Sequence, residues 1–156
     1  MGKLLWKLRC GDRPYPTMKY LEAIALADNE AYRRGITSVD AILLLYISTC
    51  RMSFPLYDML NDQANIEAFC RAISELIDME CTPDASRRST QSSAITHDTE
   101  VILQRAERKA VESGCDEVRL EHLLLSVLDD RTVQNFMNLR GIDIEQWSTH
   151  LATLGT

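Results

Sequence analysis

Two stretches decide the fold: Val39-Asp-Ala-Ile-Leu-Leu-Leu-Tyr-Ile47 and Val118-Arg-Leu-Glu-His-Leu-Leu-Leu-Ser-Val-Leu128. Each is a valine followed by a dense apolar helix, buried on most of its sides. They lie 79 residues apart, and the same offset brings much of the rest of the chain into register. Identities fall at Thr17/Thr96, Ala27/Ala106, Ala31/Ala110, Gly35/Gly114, Val39/Val118, Leu44/Leu123 and Leu45/Leu124. A repeat on this scale is the first thing to settle, because it fixes the architecture before any motif is read.

Working backwards from each apolar stretch gives the helix that precedes it. Thr17 and Thr96 stand where an N-cap hydroxyl is wanted by orphan backbone amides. Gly35 and Gly114 stand where a helix stops in the left-handed conformation. Between cap and stop, Ala27 and Ala31, and again Ala106 and Ala110, are four residues apart, so their methyls share one face and let a neighbouring helix approach. Glu22, Asp28, Glu30, Arg105, Arg108 and Glu112 take the remaining surface, which makes an amphipathic helix written twice. The run 105–112 reads as a solvated face rather than a docking face.

Working forwards, Ser53 to Leu60 pairs with Thr132 to Leu139. Ile66-Glu67 then pairs with Ile144-Glu145 at a spacing of 78, read as a one-residue deletion in the first copy's loop. The last helices are predicted over Ile66 to Met79 and Ile144 to Leu154. Between the copies, Glu80-Cys-Thr-Pro-Asp-Ala-Ser-Arg-Arg-Ser-Thr-Gln-Ser-Ser-Ala94 is polar, with one proline, as a flexible linker is. No segment alternates as a strand does. The predicted fold is all-α, two four-helix repeats related by a pseudo-twofold. Residues 1–16 form an N-terminal tail that orders on binding, 17–79 the first repeat, 80–95 the linker and 96–156 the second repeat, the two repeats making one domain.

Composition narrows function mainly by exclusion. The 156 residues carry 17 Lys+Arg against 23 Asp+Glu, a formal charge of −6, which gives no electrostatic reason to expect nucleic acid. There is no polybasic anchor, and no apolar run approaches the 18 or so residues of a membrane span. Lys7 and Arg9 interrupt the start before a signal-peptide core forms, so the expected compartment is the cytoplasm. Cys10, Cys50, Cys70, Cys81 and Cys115 are odd in number and show no Cys-x-x-Cys, so they read as reduced thiols used as small hydrophobes.

No catalytic constellation is visible. The six glycines are isolated, which excludes a Walker A loop and a dinucleotide fingerprint. There is no G-x-S-x-G elbow and no H-E-x-x-H. Glu121-His122 is an adjacent acid–imidazole pair, but neighbouring helical residues point about 100° apart, so it reads as a structural His beside a solvent-facing Glu. Cys115 has no base near it in sequence. Trp6 and Trp147 read as core or packed termini. No cofactor and no metal is expected, and the positive expectation is a binding module with a groove between its halves.

From about Thr17 to Leu154 the chain resembles the Clp N-terminal domain, the double-repeat module that precedes the AAA+ rings of Clp/Hsp100 unfoldases. The second copy matches that family's Val-x-Thr-Glu-His-Leu-Leu-Leu-like helix as Val118-Arg-Leu-Glu-His-Leu-Leu-Leu125, with Leu120 in place of Thr. The first copy departs from it, with Ile42 and Leu43 in place of Glu and His. Val101-Ile-Leu-Gln-Arg-Ala106, Ser113-Gly and Glu117-Val look closest to the ClpA type. The resemblance implies a monomeric docking platform for a ClpS-like adaptor or for protein substrates, with Clp ATPase and protease subunits as further partners. It points to Glu121 and His122 as protein- or peptide-binding residues. In the ClpC branch the Glu of each Glu-His pair binds phosphoarginine, and here only Glu121 could be carried over. Without Walker motifs the chain is expected neither to hydrolyse ATP nor to unfold anything alone. Three readings follow: the capture domain of a longer unfoldase, a freestanding accessory protein of a Clp ring, or a small enzyme on an all-α scaffold, which the absent constellation disfavours.

Overall fold

A computed structural model describes residues 13–52, 54, 59, 60, 62–80 and 93–154. Among these, seven α-helices carry the fold. Helix α1 spans Met18–Arg34, α2 Ala41–Tyr46, α3 Gln63–Glu80, α4 His97–Glu112, α5 Leu120–Leu128, α6 Arg131–Leu139 and α7 Ile144–Leu154. The element expected over Ser53 to Leu60 lies mostly outside the described residues, as do most of the linker and residues 1–12.

The helix boundaries follow from capping chemistry. Thr17 accepts a hydrogen bond from the Tyr20 backbone N–H at 3.4 Å, as its position predicts. Thr96 caps differently: its own N–H donates to Thr99 Oγ1 at 3.2 Å, and its hydroxyl meets Ser38 of the other repeat at 2.7 Å. Gly35 and Gly114 close α1 and α4 with φ of 77° and 74°. Nothing lies within 4 Å of a Cβ placed on Gly114, so the backbone alone demands glycine there. Gly114→Ala is therefore expected to cost about 1–2 kcal/mol, the left-handed penalty, measurable by urea denaturation. A neutral result would mean that the turn relaxes.

Both alanine pairs, Ala27/Ala31 and Ala106/Ala110, are fully enclosed, and α2 and α5 pass through the middle of the molecule with Leu44, Leu45, Leu123 and Leu124 at 0 % exposure. The repeats do not merely abut. Tyr15–Pro16, β1, pairs in parallel with Glu117–Val118, β2, so the segment entering the first repeat is held by the link of the second. The reciprocal bond is present too: Val39 N–H donates to the Ala94 carbonyl at 2.9 Å, holding the entry to the second repeat on the link of the first. Thr99 Oγ1 then donates to the Val39 carbonyl at 2.7 Å. Through this exchange Tyr15 and Pro16 lie against the second repeat. Arg13 also reaches Glu107, at 2.7 Å.

The register slip likewise differs from its sequence reading in sign and place. Leu45 to Ile66 is 21 steps whereas Leu124 to Ile144 is 20, so the first copy has gained a residue. The helix beginning at Ala41 continues as a π turn over Ile47–Arg51, where its counterpart α5 stays regular. A π turn absorbs one extra residue inside a helix. An ion pair supports this alignment. Lys109 Nζ meets Asp129 Oδ2 at 2.9 Å, tying α4 to the residue after α5. Glu30 and Arg51, the corresponding positions once the extra residue is counted, meet at 3.5 Å with the charges exchanged. Glu30 is buried and also accepts from Arg33 at 2.8 and 2.6 Å. That hydrogen bond, against the opposing effect of burial and with the added charges of Arg33, Arg34 and Arg51, holds its carboxyl below the usual range.

Candidate functional site

The structure separates the two residues singled out in the sequence. His122, on the first turn of α5, is wholly buried. Its Nδ1 accepts the Arg119 backbone N–H at 3.0 Å, satisfying one orphan amide at the helix start. The first repeat does this job differently, with Asp40 Oδ1 accepting from Leu43 N–H at 2.9 Å, so Leu43 is free to be apolar. Burial, with the Arg119 charge, pushes the His122 imidazole below its ordinary range. Glu121 is half-buried rather than solvent-facing, and burial pushes its carboxyl up. Of the pair, Glu121 is the residue a partner could touch. Its counterpart Ile42 is enclosed at 3 % exposure, so only one half of the molecule offers a carboxylate at this position.

A second location, which no motif marks, lies where the two repeats meet. The Phe69 and Trp147 rings stack with centroids 6.0 Å apart and planes 29° from parallel. Counted at the 78-residue offset they are equivalent positions, so each repeat contributes one ring to the pseudo-twofold. Phe136 meets Phe69 edge-on at 5.6 Å. Above the stacked rings opens a cleft of about 370 Å³, lined in equivalent pairs by Asn65 and Asp143, Ala68 and Gln146, and Phe69 and Trp147. Met59, Leu60, Ile142 and Arg140 also line it. The volume is within the range that admits a ligand or a peptide side chain. A groove between the halves was expected from the repeat, whereas its lining required the three-dimensional pairing of α3 with α7.

Trp147 is core, at 1 % exposure. On the charged face of α4, Lys109 is tied to Asp129, and Arg105 donates to the Ser126 carbonyl at 3.3 Å. Cys115 is half-buried; Trp6, Cys10 and Cys81 lie outside the described residues. Among the described residues no group of three or more His, Cys, Asp or Glu is placed to hold a metal ion, and no helix is long and apolar enough to cross a membrane.

Comparison with solved structures defines the class: the chain has the fold of the N-terminal domains of Clp/Hsp100 chaperones. The Hsp104 N-terminal domain from Candida albicans superposes with a TM-score of 0.73 at 14% identity, covering 90% of this chain and 91% of that one. The N-terminal domain of the caseinolytic-protease-associated chaperone ClpD from Arabidopsis thaliana gives 0.64 at 18%, covering 88% and 92%. A protein studied as part of a malarial secretion system gives 0.68 at 18%, covering 90% and 94%. No protein-family model matches the sequence, and no curated protein does.

Proposed function

We propose that the chain is a non-catalytic protein-interaction module that docks adaptors or substrates for a Clp-type AAA+ unfoldase or protease, in the cytoplasm. The observation that carries this reading is the shared fold: two interlocked helical repeats over nine-tenths of the chain, with a groove at their junction. The ClpA-like stretches of sequence favour a ClpS-like adaptor as first partner. Glu121 is the residue proposed to contact it, with His122 holding the helix start that presents Glu121. The alternative is a freestanding accessory protein that binds a Clp ring and stabilises or regulates it.

The two readings separate in one experiment. The purified chain is titrated against a ClpS-like adaptor and, separately, against assembled Clp ATPase and protease rings, with binding followed by calorimetry. Adaptor binding that Glu121→Lys weakens supports the docking reading. Saturable binding to rings alone makes the chain an accessory protein. Binding to neither overturns both. Light scattering on the same sample checks the expected monomer.

A further inference from the structure

We infer that Cys50 and Cys70 form a reversible disulfide that fastens the π turn to α3, a redox-sensitive clasp within the first repeat. The inference goes beyond the docking reading and does not depend on it. Cys50 lies in the π turn over Ile47–Arg51, and Cys70 lies near the middle of α3. Both are free thiols, and the two side chains meet, in hydrogen-bond contact with one another. Each is half-buried and packed on the core, so packing fixes the pair while a small reagent can still reach it. The Thr49 hydroxyl stands 3.4 Å from Cys50 Sγ and borders the pair. The extra residue of the π turn decides this placement. It moves Cys50 from the register of Asp129, which is exposed, to that of Leu128, which is buried. At the same offset Cys70 corresponds to Ser148 on α7, which packs on α5, so the second repeat has no such thiol pair.

The oxidant is a small-molecule disulfide, for which oxidised glutathione serves. The Cys70 thiolate attacks one of its sulfurs and breaks its S–S bond. One glutathione leaves as the thiolate, and Cys70 carries the other as a mixed disulfide. Cys50 then loses its proton and attacks the Cys70 sulfur, which forms the protein disulfide and releases the second glutathione. Two cysteine thiols are oxidised, one glutathione disulfide is reduced, and the two protons end on the released thiols. The order follows from the surroundings of Cys50. Burial, and then the neighbouring Cys70, pushes the Cys50 thiol up, so Cys70 reacts first. Its capture as a mixed disulfide removes the negative charge that helped to hold the proton on Cys50.

The test uses the full chain with Cys10→Ser, Cys81→Ser and Cys115→Ser, equilibrated with oxidised and reduced glutathione, quenched in acid and read by intact mass. The expected product is a monomer lighter by two hydrogens, free of glutathione, that dithiothreitol returns to the dithiol. Cys50→Ser in the same background should stop at one glutathione adduct on Cys70. The glutathione ratio at half-conversion gives the effective concentration of one thiol at the other. It should be at least about tenfold higher in the folded chain than in denaturing urea. By linkage the oxidised chain should unfold at a higher urea midpoint than the reduced chain, with slower amide exchange over 47–51. Should circular dichroism show the serine variant unfolded, the parent chain gives the same reading, through a disulfide joining the tryptic peptides that end at Arg51 and Arg71. Glutathione adducts on both cysteines, linkage between chains, resistance to oxidation, or an effective concentration no higher than in urea overturns the inference.

Discussion

Phe69→Ala should lower the unfolding free energy by about 3–5 kcal/mol, the range for deleting a buried aromatic side chain. That is a large share of the roughly 5–15 kcal/mol available to a domain. The ring is 1 % exposed, stacks on Trp147 and meets Phe136 edge-on, so the cavity left behind would be walled by both repeats at once. The same geometry predicts coupling. In a cycle built from Phe69→Leu and Trp147→Phe, the double mutant should depart from additivity by about 0.5–1.5 kcal/mol, the value of an aromatic pair beyond its buried area. Urea unfolding followed by circular dichroism and by tryptophan fluorescence should give one coincident transition, because each repeat's entry segment is bonded to the other's link. Two separated transitions, or a Phe69→Ala cost below about 1 kcal/mol, would mean that the repeats hold their structure independently.

What the sequence made legible, and what it hid, divides by range. Features that act within one helix were readable: the Thr17 cap, the left-handed Gly35 and Gly114, the paired alanines and the bounds of α7 at Ile144 and Leu154. Each depends on neighbours one to four positions away, and so leaves a mark at fixed spacing. The exchange of Tyr15–Pro16 onto Glu117–Val118 left none, since two residues are too few to alternate and their partners are a hundred positions distant. The slip from 79 to 78 was visible as arithmetic but not as structure: a π turn in a continuous helix and a change in loop length produce the same offset. The groove shows a further limit. Phe69 and Trp147 are equivalent positions occupied by different aromatics, so identity matching passes over them, although their shared size and apolarity is what the axis requires. At Glu121-His122 the sequence reading set a structural His beside a solvent-facing Glu; His122 is buried, while Glu121 is half-buried, a degree of enclosure that depends on packing from outside its own helix.

That inward histidine makes stability depend on pH, with a sign that can be worked out. The His122 Nδ1 accepts a backbone N–H, which only the neutral ring can do, and burial with the nearby Arg119 charge depresses its pKa below the ordinary value of 6.5. Above pH 6.5 the ring is neutral in folded and unfolded chains alike and contributes no slope. As pH falls through 6.5 the unfolded chain takes up a proton that the folded chain refuses, so the folded state loses stability. The loss continues until the folded pKa is reached, at no more than about 1.4 kcal/mol per pH unit for one group. Glu121 works the other way. Burial raises its folded pKa above 4.5, so its contribution is fully present below 4.5 and is lost as pH rises through the raised value. Glu121→Gln removes that opposing slope and should steepen the acid destabilisation. His122→Gln keeps an acceptor for the Arg119 amide, as Gln does at this position of a capping box, while removing the titration. Urea midpoints measured from about pH 7.5 to 5 should fall more steeply for the parent chain than for His122→Gln, with the two curves converging near neutrality apart from a constant offset. Parallel curves across that range would show that His122 titrates alike in both states, and its place at the head of α5 would then be packing alone.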